Sequence, residues 1–265
     1  MLIDLHDKVA VVTGAGRGIG RDISLALARE GVVVVALDLT AAAVASIETE
    51  LRAIEPRCRA YACDVRDAAR IDEIIADVDA TLGRVDVLVN NAGVVDDDPI
   101  ADVAEQTWDL VTDVNVKGTF LMCRAVIPVM KRQRSGRIIN AASFAAIVPR
   151  VGGVVYATSK AAVAHLTRGL AGELGPWDIT VNAYAPGMIP TEMNHFTERP
   201  AAEQEALLDT LSLHRWGSTD DVANLICFLA SDKAAYITGT LIDISGGKLA
   251  TQLPREAYDR ARDRK

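Results

Sequence analysis

The feature that most constrains the fold is a repeated pattern, in which short apolar runs return at regular intervals with helical periodicity between them. Seven such runs occur, at residues 8–13, 32–38, 57–62, 85–90, 137–142, 180–184 and 240–244. Runs of this kind are typical of strands buried on both faces of a parallel sheet. Because strands that alternate with helices form βαβ units, the sequence predicts a doubly wound α/β fold: a seven-stranded parallel sheet with helices on both faces.

Length and composition are consistent with one domain over residues 1–265. Hydrophobic residues make up 50% of the chain, which is enough for a single large core, and no repeat or linker divides the sequence. Two segments differ from the rest. Residues 192–204 lose strand character, and a lid is expected at about 188–212. A C-terminal tail is expected at about 248–265, and its highly charged part, residues 254–265, is expected to fray.

Charge and cysteine usage exclude several classes of function. The formal net charge of −8 disfavours nucleic acid or an anionic membrane as a partner, because both attract clusters of Lys and Arg. No apolar stretch reaches the roughly 18 residues of a membrane span and no secretion signal is recognisable, so a cytoplasmic protein is expected. Buried free thiols are expected and a metal site is not, since the histidines are dispersed and the cysteines lack paired spacing. The cysteines are Cys58, Cys63, Cys123 and Cys227.

The first strand leads into a glycine-rich turn, Thr-Gly-Ala-Gly-Arg-Gly-Ile-Gly at residues 13–20, which opens a helix. Glycines allow the backbone to approach a ligand closely, and the positive end of the following helix attracts phosphates. The order of strand, glycine turn and helix therefore predicts a dinucleotide site. Its candidate residues are Gly14, Arg17, Gly18, Ile19 and Gly20.

Asp38 closes the second strand, where a carboxylate can accept hydrogen bonds from the adenosine ribose and repel a 2′-phosphate. This favours NAD over NADP as the cofactor. Arg17 could pair with a 2′-phosphate, but one exposed guanidinium should be outweighed by the carboxylate of Asp38.

The ends of the third and fourth strands supply further cofactor candidates. Asp64 and Val65 follow the third strand, where Asp64 either lies beside the adenine ring or caps the next helix. Asn-Asn-Ala-Gly at 90–93 follows the fourth strand, where amides can tie neighbouring strands together and small residues leave room for the cofactor. The candidates from this stretch are Asn91, Ala92 and Gly93.

Tyr156 and Lys160 lie one helical turn apart, so their side chains leave the same face of a helix. A phenol with a pKa near 10 acts as a base at neutral pH only if nearby cations favour the phenolate. Ser143 follows the fifth strand and Asn115 lies in the helix after the Asn-Asn-Ala-Gly stretch. Ser159 is a rival serine, but it should point away from the tyrosine face.

These motifs occur in the order of the short-chain dehydrogenase/reductase family, which the chain resembles over about residues 5–247. The resemblance implies a Rossmann-type fold and hydride transfer between a nicotinamide cofactor and an alcohol or carbonyl carbon. It assigns Tyr156 as the proton donor or acceptor, and Lys160 as the residue that holds the nicotinamide ribose and acidifies the tyrosine. By the same resemblance, Ser143 orients the substrate and Asn115 anchors a water relay.

The resemblance extends past the sixth strand, where it implies nicotinamide contacts from Pro186, Gly187, Ile189 and Thr191. The family usually has a glycine a few residues after the serine, whereas this chain reads Phe-Ala-Ala-Ile-Val-Pro-Arg at 144–150, so a different pocket wall is expected. Three further polar residues suit a hydroxylated or anionic small molecule, unless they are ordinary surface. They are Arg150, His195 and Arg199.

Two enzymatic interpretations remain open. The first is an NAD-linked sugar or polyol dehydrogenase, and the second is a 3-oxoacyl-acyl-carrier-protein reductase, a class that usually takes NADPH and that the C-terminal half also resembles. Asp38 favours the first. A non-catalytic NAD-binding regulator is a third, more remote interpretation, and the complete set of Asn, Ser, Tyr and Lys argues against it. The resemblance also implies a homotetramer in which the helices at 108–130 and around Tyr156 pack across an interface.

Overall fold

The computed structural model describes residues 3–192, 194, 196–248 and 250–262. Within them, seven strands form one sheet in the order β3-β2-β1-β4-β5-β6-β7, with every neighbouring pair parallel. The strands are β1 (Val9–Thr13), β2 (Val33–Asp38), β3 (Arg59–Ala62), β4 (Val87–Asn90), β5 (Gly136–Ala141), β6 (Ile179–Pro186) and β7 (Leu241–Ile244). The predicted Rossmann-type fold is confirmed, and each predicted strand is found within two residues of its predicted ends.

Helices connect the strands and cover both faces of the sheet. They are α1 (Gly18–Arg29), α2 (Ala41–Ile54), α3 (Ala68–Leu82), α4 (Glu105–Thr112), α5 (Thr119–Gln133), α6 (Val154–Leu174), α7 (Ala201–Leu208), α8 (Thr219–Ala230) and α9 (Arg255–Arg262). A π-helical turn, Asp113–Gly118, joins α4 to α5. None of the helices among the described residues combines the length and apolar character that crossing a bilayer requires.

The core consists of two layers, one on each face of the sheet. Val12 and Val34 pack on one side, where α1 and α8 lie, and Val11 and Val35 pack on the other side, where α3 and α5 lie. This alternation follows from the two-residue period of a strand and explains the continuous apolar runs in the sequence. The four cysteines are buried and unpaired, as predicted.

The strand order reverses between β1 and β4: the sheet grows from β1 through β2 to β3 on one side, and from β4 to β7 on the other. In open parallel sheets a ligand binds at this switch point, beyond the carboxyl ends of the strands. The turns after β1, β2, β3 and β4 therefore meet at one edge, which also receives the ends of β5 and β6.

The tail packs against the 188–212 segment of its own chain. Arg255 donates to the carboxylate of Asp209 at 2.5 Å, and the hydroxyl of Tyr258 donates to the carbonyl of Ser212 at 2.7 Å. The expectation that the tail frays is therefore wrong for α9, because ion pairs and a partly buried hydrogen bond give this charged helix partners. Both contacts join α9 to residues of the same chain.

Candidate active site

A crevice of about 490 Å³ opens at the carboxyl edge of the sheet, within the usual size range of small-molecule sites. Every predicted cofactor residue lines it except Gly20. Those that line it are Gly14, Arg17, Gly18, Ile19, Asp38, Asp64, Val65, Asn91, Ala92, Gly93, Tyr156, Lys160, Pro186, Gly187, Ile189 and Thr191. Ser143 lines it as well.

The glycine turn is shaped by contacts that leave no room for side chains. A Cβ on Gly16 would lie 2.6 Å from the Cβ of Ala43, and a Cβ on Gly20 would lie 2.1 Å from the carbonyl oxygen of Gly14. Helix α1 begins at Gly18 with no side chain capping its first N–H groups. This uncapped helix end at the crevice fits a phosphate group. Gly16 was not among the predicted contacts, although its place in the glycine motif could have identified it.

The carboxylate of Asp38 is fixed at the end of β2 by two main-chain amides. One oxygen accepts from the amide of Gly16 at 2.8 Å, and the other accepts from the amide of Leu39 at 2.7 Å. Arg17, on the neighbouring turn, forms an exposed ion pair with Glu192 at 3.3 Å. The guanidinium that could have paired with a 2′-phosphate thus has a carboxylate partner in the same chain.

Asp64 is held by Arg66, not by the helix that follows it. Its carboxylate accepts from the guanidinium of Arg66 at 2.6 Å, and this contact lowers the pKa of Asp64. The residue that caps α3 is Asp67, whose side chain accepts from the amide of Arg70. The interpretation of Asp64 as the helix cap is therefore wrong. Asp64 lines the crevice, and its predicted position beside the adenine ring is the interpretation that remains.

Asn91 ties the glycine turn to the neighbouring strands, in the architectural role expected for this stretch. Its amide nitrogen donates to the carbonyls of Thr13 at 3.1 Å and Gly14 at 3.2 Å. Its amide oxygen accepts from the hydroxyl of Tyr184 at 3.0 Å. Tyr184 is fully buried at the end of β6 and was not among the predicted site residues.

The nicotinamide side of the crevice is closed by the stretch after β6. A Cβ on Gly187 would lie 2.6 Å from the Cα of Ser245, so only glycine allows the end of β7 to pack here. Ile189 is buried against the core, while Thr191 approaches Gly18 across the crevice.

The predicted catalytic side chains come together where β5 ends and α6 begins. Tyr156 and Ser143 both line the crevice, and the side chain of Ser143 acts on the Tyr156 hydroxyl to lower its pKa. The ammonium of Lys160 donates to the carbonyl of Ala141 at 2.8 Å and lies 5.6 Å from the centre of the Tyr156 ring. Ser159 instead donates to the main-chain carbonyl of Tyr156, on the other side of the helix.

Burial favours the neutral form of both titratable groups. It raises the pKa of Tyr156, although the side chain of Ser143 and the positive charge of Arg150 oppose this effect. It lowers the pKa of Lys160 to about 8. Desolvation thus outweighs the protein's own groups at Tyr156, and its acidification by Lys160 together with the bound nicotinamide stays a prediction.

Asn115 is fully buried in the π-helical turn and does not line the crevice. Its amide oxygen accepts from the amide of Val94, and its amide nitrogen donates to the carbonyl of Val94 and to the hydroxyl of Ser159, all at 2.9 Å. Both amide hydrogens therefore have protein partners. The side chain joins the stretch after β4 to α6, and the water relay implied by the family resemblance stays a prediction.

Comparisons with known proteins agree with this geometry. The family model for short chain dehydrogenases matches residues 8–202. The chain is 40% identical over 244 residues to a 3-oxoacyl-acyl-carrier-protein reductase of Thermotoga maritima, covering 92% of this chain and 98% of the relative.

The chain belongs to the short-chain dehydrogenase family.

Solved structures of the same fold support this membership. A candidate short-chain alcohol dehydrogenase from Sinorhizobium meliloti superposes with a TM-score of 0.89 at 36% identity, covering 94% of this chain and 98% of that one. An NAD⁺-bound xylitol dehydrogenase superposes with a TM-score of 0.86 at 30% identity, covering 91% and 99%. As a short-chain dehydrogenase, this protein is an oxidoreductase that acts on CH–OH or carbonyl groups with a nicotinamide cofactor.

The structure of this short-chain dehydrogenase adds one site residue that sequence reasoning missed. Asp96 is buried, and one of its carboxylate oxygens accepts from the amide of Tyr156 at 2.7 Å. It therefore fixes the first turn of the helix that carries Tyr156. The only signal in the sequence was its place in an acidic run just after the Asn-Asn-Ala-Gly stretch, where such residues are usually solvated.

The two predicted substrate residues that the structure describes are not brought together at the crevice. Arg150 pairs with the carboxylate of Asp97 and also donates to the carbonyl of Asp96. Arg199 lies over the ring of Phe196 and pairs with a neighbouring carboxylate. Neither arginine lines the crevice. His195 lies outside the described residues.

A further cluster, Glu205, Asp209 and His214, has its ligand-type atoms within 4.8 Å of one another. Arg255 contacts both of its carboxylates, and Arg255 and His214 together lower the pKa of Asp209. The negative charges of Glu205 and Asp209 are therefore balanced by Arg255 of α9.

Proposed function

We propose that this enzyme transfers a hydride between NAD(H) and a secondary alcohol or carbonyl of a small hydroxylated substrate of the sugar or polyol type. The observation that carries the proposal is the carboxylate of Asp38, which two main-chain amides fix at the rim of the cofactor crevice. A fixed anion at this place accepts hydrogen bonds from ribose hydroxyls and repels a 2′-phosphate. The ion pair of Arg17 with Glu192 supports the same preference, since it gives the guanidinium of the glycine turn a carboxylate partner.

The residues of the crevice divide the chemistry between them. The nicotinamide supplies the hydride acceptor or donor when it is bound. Tyr156 gives a proton to the substrate oxygen in reduction and takes it in oxidation, and Ser143 hydrogen-bonds the same oxygen. Lys160 places a positive charge beside the tyrosine and, with the cofactor, offsets the cost of burying a phenolate. Asn115 and Asp96 hold these groups in place.

We infer a cytoplasmic homotetramer whose 188–212 segment acts as a lid over the substrate, with no membrane or nucleic acid as partner. The segment carries α7 and joins the cofactor crevice to α9 through Asp209. The net charge of −8 supports the exclusion of nucleic acid.

A 3-oxoacyl-acyl-carrier-protein reductase is the second candidate, because relatives of that name are 40–42% identical over nearly their whole length. The surface argues against it. Arg168 is the one basic residue that the second half of α6 exposes, which is poor complementarity for an acidic carrier protein.

Cofactor binding tests the observation on which the proposal rests. We expect the wild type to bind NAD at least about tenfold more tightly than NADP, and Asp38→Ala to reduce this ratio towards one. Asp102→Ala, which removes an exposed carboxylate of a surface turn, should leave the ratio unchanged. Tighter binding of NADP by the wild type, together with NADPH-linked reduction of a 3-oxoacyl thioester, would transfer the assignment to the second candidate.

A further inference from the structure

Lys248 is a half-buried lysine that follows β7 and lies outside the lining of the crevice, beside the residue next to the catalytic serine. Its ammonium lies 5.6 Å from the centre of the Phe144 ring, and Phe144 is the residue that follows Ser143. An aromatic face stabilises a cation only partly, because it satisfies none of the three N–H donors with a hydrogen-bond acceptor.

The position of Lys248 is fixed by its backbone. The amide of Lys248 donates to the hydroxyl of Ser245, and its main chain bridges Leu211 in antiparallel fashion. A Cβ on Gly247 would lie 2.8 Å from the hydroxyl of Ser212, so the turn before the lysine packs tightly against the 188–212 segment. The lysine is thus held between Phe144, the neighbour of the catalytic serine, and the 188–212 segment.

No carboxylate of the described residues pairs with Lys248. Burial lowers its pKa, and no neighbouring charge acts in the opposite direction. Placing a lysine where it is partly desolvated and unpaired has a cost in stability, so the cation requires an explanation outside the fold itself.

Resting on the proposed function, we propose that Lys248 selects substrates that carry an anionic group, a carboxylate or a phosphate ester, in addition to the reacting alcohol or carbonyl. The net charge of −8 repels such substrates, so a local cation is needed to bind them. Arg150 and Arg199 already have carboxylate partners, and Lys160 is assigned to the tyrosine and the cofactor, which leaves Lys248 among these cations. The reaction is unchanged: the alcohol carbon loses a hydride to the oxidised cofactor, and its hydroxyl loses a proton to Tyr156.

The test compares charged and neutral members of matched substrate pairs on the NAD-saturated enzyme. One pair is 3-hydroxybutyrate and its amide, and the other is sorbitol 6-phosphate and sorbitol. Binding is measured by calorimetry for each compound, and kcat and KM are measured for those that are turned over. The variants are Lys248→Met, which keeps length and removes charge, and Lys233→Met, which removes an exposed lysine of a surface turn.

We expect the wild type to prefer the charged member of at least one pair by about tenfold or more, as a charge-assisted hydrogen bond would give. Lys248→Met should reduce this preference to about threefold or less through KM or Kd, with kcat for the neutral member and NAD binding retained. Lys233→Met should keep it. The pair that shows the preference distinguishes a carboxylate from a phosphate ester.

Two results would overturn the inference: no preference for the charged member in either pair, or a preference that survives in Lys248→Met. These results are separable from failure of the proposed function. If the enzyme oxidises neutral polyols with NAD but shows no preference for charged substrates, only the proposed role of Lys248 is contradicted. If it oxidises none of the compounds with either cofactor, the proposed function is contradicted, while the binding ratios still test the role of Lys248.

Discussion

At the scale of single residues, the site places two groups where their charged forms are costly. Lys160 is only 4% exposed, and burial lowers its pKa from the usual 10.5 to about 8. Tyr156 shares this environment, and burial raises its pKa. The protein therefore gives up stability to hold a proton donor and a cation at one point, as functional sites often do.

Replacing Lys160 by Met should abolish turnover and stabilise the fold by about 1–3 kcal/mol at pH 7, because a buried charge is exchanged for an apolar chain of similar size. The cost of the charge is fully present below the folded pKa of about 8. It disappears as the pH rises towards the unfolded pKa of 10.5, since only the unfolded state then carries the proton. Melting curves of both proteins at pH 7, 9 and 10 should show the difference in Tm narrowing. A gap that stays constant with pH would contradict this account.

At the scale of secondary-structure elements, the sequence predicted the features that depend on a residue's own burial or on its near neighbours in the chain. The seven strands were predictable because strands covered on both faces must be continuously apolar. The glycine turn after β1 and the spacing of Tyr156 and Lys160 were predictable because each is local in sequence.

Contacts between distant segments were not predictable in this way. Asp96 and Tyr156 are 60 residues apart, and Arg255 and Asp209 are 46 apart. In each pair, the sequence around one residue gives no sign of its distant partner. Asn115 was recognised as a site residue through the family resemblance, but its contact with Ser159 depends on a π-helical turn that the sequence did not reveal.

The contact of α9 with the 188–212 segment should affect substrate binding more than stability. Exposed ion pairs are worth about 0–1 kcal/mol, so Arg255→Ala should change Tm little. It should raise KM while leaving kcat nearly unchanged, because the segment that borders the substrate loses a fixed partner at Asp209. Arg260→Ala, which removes a pair within α9 itself, is the control and should leave KM unchanged. An unaltered KM in Arg255→Ala would mean that α9 does not position the segment.

At the scale of the whole molecule, one face carries more apolar surface than the core covers. Trp108 of α4 and Phe120 of α5 are each more than 40% exposed, and Val154 at the start of α6 is 40% exposed. Exposed apolar patches of this kind mark interaction surfaces. The family resemblance implies that the same helices pack between subunits.

Phe120→Asp should therefore shift the proposed tetramer towards smaller species, because a carboxylate cannot be buried unpaired in an apolar interface. Analytical ultracentrifugation measures the change directly. Ile54→Asp introduces the same charge at a partly exposed position of α2 and should leave the assembly intact. A monomeric wild type, or an unchanged tetramer in Phe120→Asp, would show that this face is not the interface.

The central claim is that this chain is an NAD-linked oxidoreductase that transfers the proton through Tyr156. Initial rates with NAD and NADP, measured on polyols, sugars, hydroxy acids and a 3-oxoacyl thioester, test it most directly when the wild type and Tyr156→Phe are compared. We expect NAD-linked oxidation of a hydroxylated substrate that falls by about a hundredfold or more in Tyr156→Phe, since general acid–base catalysis contributes at least that much. Equal rates in the two proteins, or turnover confined to NADPH and the thioester, would contradict the claim.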